Sequence, residues 1–193
     1  MKRRAGFLFT LTAIGALLLL AVPAPATDNP ESGNKPIETF TAIAASMQTG
    51  QSGIVEININ RWSTDAERTV LIDLLKMKGQ QAMVAELQKL PQVGYIKMPT
   101  TMGYALFYAR SNPLPDGGRQ VVFATDRNIG MAGAAPQLSQ YDVSVVEIQF
   151  DKAGKGKGKL VPAAKASVDK NGKVQIQNYQ GAPLMLMDIK VKQ

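Results

Sequence analysis

Apolar and polar residues alternate most cleanly at Ile54–Trp62. Val55, Ile57 and Ile59 fall on one face, and Glu56, Asn58 and Asn60 on the other. A period of two predicts a strand with one face in a core and one in water. The same phase puts Arg61 at the rim of the core face and Trp62 on the polar face. Upstream, Phe40–Met47 (FTAIAASM) fits neither period well, and Phe40, Thr41 and Ile43 tip it towards strand. Gly50–Gly53 reads as a turn.

The period changes after Trp62. Thr64-Asp65-Ala66-Glu67 has the spacing of a capping box, in which the threonine hydroxyl accepts from an early backbone N–H and the glutamate reaches back. Val70, Leu71, Leu74 and Leu75 then recur at helical spacing until Gly79, which is placed to end the helix. A shorter helix follows, with Met83, Val84, Leu87 and Leu90 on one face and Pro91 as its stop. Two short helices joined by one glycine make an αα-hairpin that covers one face or end of a sheet.

From Pro91 onward the pattern is almost wholly β. Candidate strands are Val93–Met98, Tyr104–Arg110, Arg119–Arg127, Val143–Phe150, Lys159–Val168, Lys173–Tyr179 and Leu184–Val191. Asp169-Lys170-Asn171-Gly172 is a strong hairpin signal, because Asn-Gly supplies the positive φ of a tight turn. Short strands at this spacing predict an α+β, β-dominated domain: an antiparallel sheet forming a barrel or sandwich, with the αα-hairpin inserted.

The stretch Val93–Arg127 is densest in aromatics. Tyr104, Leu106, Tyr108 and Arg110 share one face of a strand, with Ala105, Phe107 and Ala109 on the other. Val121, Phe123 and Thr125 alternate with Val122 and Ala124 on the next, so both faces are apolar, as in the central strands of a core. Two readings stand. The tyrosines pack across strands, or Tyr104 and Tyr108 line a pocket in a barrel mouth with Arg110 orienting a ligand. Arg61–Trp62 and Asp126–Arg127 end two strands and belong to the same candidate site. Neighbours on a strand point opposite ways, so neither dipeptide is an internal ion pair, whereas Arg61 and Asp126 could meet across the sheet. An Arg–carboxylate pair there would fix register or hold a binding rim.

Composition narrows the chemistry. The chain has no histidine and no cysteine, which removes the usual general base, the Ser-His-Asp triad, disulfides and nearly all zinc and copper sites. No paired carboxylates, Ser-x-x-Lys spacing or calcium loop replaces them around Glu56, Glu147, Asp142, Ser144 or Ser167. Met185, Met187, Ile189 and Val191 form one strand face, most simply core. The reading is non-enzymatic, with no cofactor and no metal.

Lys2, Arg3 and Arg4, an apolar run over Ala5–Val22 and Ala24-Pro25-Ala26 have the layout of a secretory signal peptide, residues 1–26, cleaved after Ala26. An uncleaved anchor is the rival reading, and it is the sole membrane contact the sequence suggests. Residues 27–39 read as a disordered linker, and 40–193 as a single β-rich domain. The net charge of +7 then falls to +4, since those three basic residues leave with the leader. The remaining excess is local: residues 151–173 hold seven lysines against Asp151 and Asp169. In Asp151–Lys159 (DKAGKGKGK), Lys152, Lys155, Lys157 and Lys159 form a candidate polyanion patch without the Walker pattern. Its bland reading is a flexible hairpin tip whose lysines protect a sheet edge. Residues 151–173 hold no arginine and no aromatic, with Tyr179 the next one after them, so specific nucleic-acid binding is not expected.

The runs Arg61–Arg68 (RWSTDAER), Lys89–Ile96 (KLPQVGYI), Leu114–Arg119 (LPDGGR) and Ala124–Arg127 (ATDR) resemble a group of small exported bacterial proteins that are uncharacterised. The resemblance spans roughly Gly50 to the C-terminus. It implies export, to the periplasm or outside, and a shared fold, but no activity. The leading expectation is an exported binding protein that takes a small apolar ligand or envelope component on its sheet. The alternatives are a polyanion module using Lys152–Lys159 and a histidine-independent hydrolase.

Overall fold

The computed structural model describes residues 35–98, 101, 103–130, 133–134, 143–170, 172–178 and 182–192. In chain order the elements are β1 (Glu38–Ser46), β2 (Ser52–Ile59), α1 (Asp65–Lys78), α2 (Gln80–Leu87), β3 (Gly94–Lys97), β4 (Tyr104–Leu106) and β5 (Tyr108–Pro113). There follow β6 (Arg119–Thr125), β7 (Ile129–Gly130), β8 (Gly133–Ala134), β9 (Ser144–Phe150), β10 (Gly156–Val161), β11 (Ala164–Val168), β12 (Val174–Asn178) and β13 (Leu184–Lys192). Nine strands form one antiparallel sheet in the order β4-β3-β2-β1-β13-β10-β9-β6-β5. Its two edges, β4 and β5, are separated in the chain only by Phe107. One bent strand therefore supplies both edges, and the sheet curls into a nearly closed barrel. The Phe107 N–H donates to the Ala124 carbonyl at 3.0 Å, and Ser63 exchanges bonds with Ala109 across the closure (N to O 2.8 Å; N to Oγ 3.1 Å).

Alternation along each strand sends one set of side chains inward. Phe40, Ile57, Ile96, Leu106, Phe123, Ile148, Leu160 and Leu186 fill the barrel and are fully buried. Phe40 packs edge-on to Phe123 with ring centroids 5.3 Å apart, and the Phe150 ring lies tilted to it at 6.1 Å. The barrel interior is thus a packed core rather than a cavity.

A second apolar cluster lies outside the barrel. The α1–α2 hairpin and the β11–β12 hairpin cover the outward residues of β6 and β9, with Leu71, Leu75, Met83, Leu87, Val145 and Ala166 buried between them. The capping box at Thr64 forms as its spacing predicts, and Gly79, at φ 84°, separates the helices. Gln80 ties the two covers together: its amide donates to Ala164 O at 2.9 Å and accepts from Ala166 N at 2.8 Å. The β11–β12 turn closes through Asp169, with Gly172 at φ 76°. Every described strand and helix thus falls within Glu38–Lys192, and both clusters are built from those elements and their connections.

Several expectations are corrected. Strand pairing begins at Glu38, so Glu38 and Thr39 belong to β1 rather than to a linker. Asn58 is buried despite facing outward, because it donates to Glu56 and accepts from Thr39 (both 2.6 Å). Val70 points to solvent, since the buried stripe of α1 runs through Leu71 and Leu75. Tyr104–Arg110 is two strands, because Phe107 breaks the phase. Lys159–Val168 is also two, turned at Pro162-Ala163 with Ala163 at φ 45°. Met185 and Met187 face outward while Ile189 and Val191 face in. A bulge explains the switch: Thr41 pairs with Lys190 but Ile43 with Met187, and Asp188 sits at φ 49° in the extra turn of backbone. The signal segment and most of the linker, together with Asp142 and Tyr179, lie outside the described residues.

Candidate functional site

The two outer covers do not meet over the whole sheet, and between them a cleft of about 520 Å³ remains. Its floor is the outward face of β5, β6, β9 and β10: Tyr108, then Val122 and Ala124, then Val145 and Glu147, then Lys159. Leu71, Leu75, Met83 and Leu87 wall one side; Ala166, Val174 and Ile176 wall the other. The floor is apolar towards Ala124 and Val145 and polar towards Gln120, Glu147 and Gln149. Strand phase fixes this gradient, since residues two apart share a face.

Glu147 is the centre of the polar end. Its Oε1 accepts from Gln120 Nε2 at 2.6 Å and from Gln149 Nε2 at 3.2 Å, and Oε2 lies 3.3 Å from Lys159 Nζ. Burial pushes this carboxyl up, but the Gln120 bond and the Lys159 charge outweigh it, and its pKa ends below the usual carboxylate range. The group is an ionised, well-held acceptor beside an ammonium. At the other end, burial raises the Tyr108 phenol above its ordinary value, against the pull of Arg68 and Arg110. Arg110 itself is held by Asp65 of α1 at 2.6 Å and by Asn112 at 3.1 Å.

The residues singled out in the sequence do not converge. Tyr108 lines the cleft, whereas Tyr104 packs against the barrel core on the other side of the sheet, because the Phe107 break reverses the phase between them. The tyrosine face and the barrel-mouth pocket are therefore replaced by an outer cleft. Arg61 does not meet Asp126. It binds Glu67 at 2.9 and 3.1 Å and the Pro91 carbonyl at 2.9 Å, locking the start of α1 to the end of the helical hairpin. The strand ends at Ile59, which frees Trp62 from the polar face and lets it pack against the barrel core. Asp126 accepts from Gln88 at 3.3 Å and lies 3.5 Å from Arg127 Nε, so that dipeptide does form an internal pair once β6 has ended at Thr125.

The Lys-Gly segment also changes meaning. Asp151 organises a tight turn through bonds to Ala153 N and Lys155 N, both 2.9 Å, with Lys152 and Lys155 at its tip. Lys157 and Lys159 lie within β10, which is a central strand rather than an edge. Gly156 and Gly158 face the core. A Cβ on Gly156 would sit 2.6 Å from the Phe150 ring, and one on Gly158 would sit 2.6 Å from the Glu147 carbonyl. The repeat is a strand that leaves room for an aromatic on its inner face and carries lysines on its outer one.

Sequence reasoning missed Arg68, Gln120 and Gln149 as cleft residues, and it found Glu147 only as a rejected acid. The signal was present: Gln120-x-Val122-x-Ala124 and Val145-x-Glu147-x-Gln149 are outward-facing alternations that mix apolar and amide residues. Among the described residues, no three acidic side chains gather into a metal site, and Ser144 is buried, donating to Arg127 O at 2.7 Å and accepting from Ile129 N at 2.8 Å. No helix among them is long and apolar enough to cross a membrane. No protein family, curated protein or solved structure matches the chain.

Proposed function

We propose that this is an exported, non-enzymatic binding protein that holds a small amphipathic ligand in the cleft between its barrel and its helical hairpin. One observation carries the reading: apolar walls converge on a charged, hydrogen-bonding end made by Glu147, Lys159, Gln120 and Gln149. The volume of about 520 Å³ falls within the roughly 300–1,000 Å³ of small-molecule sites, which combine apolar linings with a few polar anchors. A ligand with an aliphatic body and a head that exchanges hydrogen bonds with carboxylate, ammonium and amide fits both parts. The Glu147 carboxylate, already satisfied by three donors, serves recognition better than proton transfer. Export rests on the basic, apolar and small-x-small layout of residues 1–26 and on the resemblance to exported bacterial proteins.

The test is displacement of an anilinonaphthalene sulfonate dye by fatty acids and their amides. Val122→Trp, which fills the floor, is expected to abolish binding with little change in melting temperature. Lys159→Gln is expected to weaken carboxylate-headed ligands more than neutral ones. Dye binding that survives Val122→Trp in a folded protein would remove the cleft from consideration.

A further inference from the structure

Among the described residues nothing covers the barrel wall next to the cleft, and that wall is apolar. Ile43 on β1 stands in register between Ile54 on β2 and Met187 on β13, and Met185 stands beside Ala45. All four large side chains are substantially exposed: Ile43 at 40%, Met185 at 41%, Met187 at 49% and Ile54 at 67%. They form one continuous patch across three strands, the kind of exposed apolar surface that marks an interaction site. Lysines border it. Lys157 and Lys159 face outward on β10, Lys159 directly opposite Met185, and Lys190 and Lys192 are exposed at the far end of β13. Lys152 and Lys155 extend the basic side at the β9–β10 tip. Against them stand Asp188, which lies 3.7 Å from Lys190, Asp151, which is bound into its turn, Glu147, which lies 3.3 Å from Lys159, and Glu56, which faces Lys97 across the sheet. The border is net positive.

We infer that this face of β2, β1, β13 and β10 docks on the surface of an anionic lipid bilayer. A second copy of the chain is disfavoured by charge, since an isologous contact would bring together two faces that are both net positive. The outer wall of a barrel is convex, whereas protein partners anchor their strongest side chains in pockets. Spaced, flexible methionines and isoleucines with basic neighbours instead suit shallow insertion at a fluid, negatively charged interface. The sequence suggested membrane contact through residues 1–26 and polyanion contact through Lys152–Lys159; this face joins that basic segment to an apolar patch within the folded domain. The inference stands apart from the cleft, although Lys159 and Met185 join the two. A cleft ligand drawn from the bilayer would pass that junction.

The experiment is co-sedimentation of the chain from Thr27 onward with vesicles of phosphatidylglycerol and phosphatidylcholine in equal parts, and of phosphatidylcholine alone. Binding is expected to the anionic vesicles, to fall with added salt, and to drop about fivefold for each of Lys157→Gln and Lys192→Gln. The pair Ile43→Thr with Met187→Thr, which keeps β-branched or small polar residues on an exposed face, is expected to abolish it while the far-ultraviolet spectrum is retained. Val122→Trp is expected to bind vesicles normally, which separates this inference from the cleft. Absence of vesicle binding by the folded wild type, equal binding by the threonine pair, or concentration-dependent dimerisation lost in that pair would each overturn it.

Discussion

Arg119 reaches across one end of the barrel to Glu38. Its Nη1 lies 3.2 Å from Glu38 Oε2, and its Nη2 bonds Oε1, although β13, β10 and β9 separate their strands in the sheet. The guanidinium also lies 5.0 Å from the centroid of Phe150 and 5.8 Å from that of Phe40. Glu38 is almost fully buried, while about a third of the Arg119 side chain meets solvent. The pair plugs the barrel with charge that is fully paired and stacked on the aromatic core.

Removing the arginine leaves a carboxylate in the barrel end without its partner. Arg119→Met is expected to cost about 2–3 kcal/mol in urea denaturation, below the ~3–5 kcal/mol of a fully enclosed pair because Arg119 is partly solvated. The double change Glu38→Gln with Arg119→Met is expected to lose less than the sum of the single changes. Additive losses would mean that the two side chains are energetically independent.

The spacing of glycines in β10 makes a second prediction. Gly156→Ala drives a Cβ into the Phe150 ring, which the barrel holds in place, and is expected to destabilise by about 1–3 kcal/mol. Lys157→Ala, on the outer face, is expected to change stability by less than about 0.5 kcal/mol. Combining Gly156→Ala with Phe150→Leu should recover part of the loss. A Gly156→Ala protein as stable as wild type would show that the segment is a loose loop.

Glu67 gives the fold an acid-sensitive joint. The Arg61 hydrogen bond lowers its pKa most; burial opposes, and the Thr64 N–H adds to the lowering. A lowered pKa in the folded state means that the stability from this group is complete above the unfolded value of about 4.3 and is lost as pH falls through the folded one. The gap in stability between wild type and Glu67→Gln is therefore expected to be constant near neutrality and to close in acid. Urea titrations at several pH values check it. Thr64→Ala, which removes the other half of the cap, is expected to cost about 1 kcal/mol near neutrality.

Tyr108 reports on the cleft from the alkaline side. Its pKa is raised mainly by burial, so its contribution to stability is complete below about 10 and is lost as pH rises through the folded value. Phenolate absorbance is expected to show one late-titrating tyrosine that disappears in Tyr108→Phe. If the late component persisted in Tyr108→Phe, the cleft floor would be wetter than its geometry implies.

Local signals carried much of the fold. The Thr64–Glu67 cap, the Gly79 break and the Asp169–Gly172 turn are each decided within a few residues, and each formed as read. What failed was decided at a distance. Nothing near Phe107 announces that the residues before it pair with β3 and those after it with β6, so strand alternation alone puts Tyr104 and Tyr108 on one face. Asp188 likewise hides a bulge that turns Met185 and Met187 outward. The Glu38–Arg119 pair spans 81 residues, yet a faint trace existed. Glu38 is in phase with Phe40 and Ala42, and Arg119 with Val121 and Phe123; a charge at an inward position calls for a counter-charge.

The position of β13 has a consequence for how the chain is made. Thr39 pairs with Lys192, and β13 lies between β1 and β10 in the sheet, while the bent β4–β5 strand joins the two sides at the opposite seam. Until Leu184–Lys192 is in place, β1 and β10 stand as two open edges of a sheet that is continuous only through the bent β4–β5 strand. Closure waits for β13 and rests on contacts between residues far apart in the sequence, which slows folding. A polypeptide of this topology stays threadable until that strand has been made.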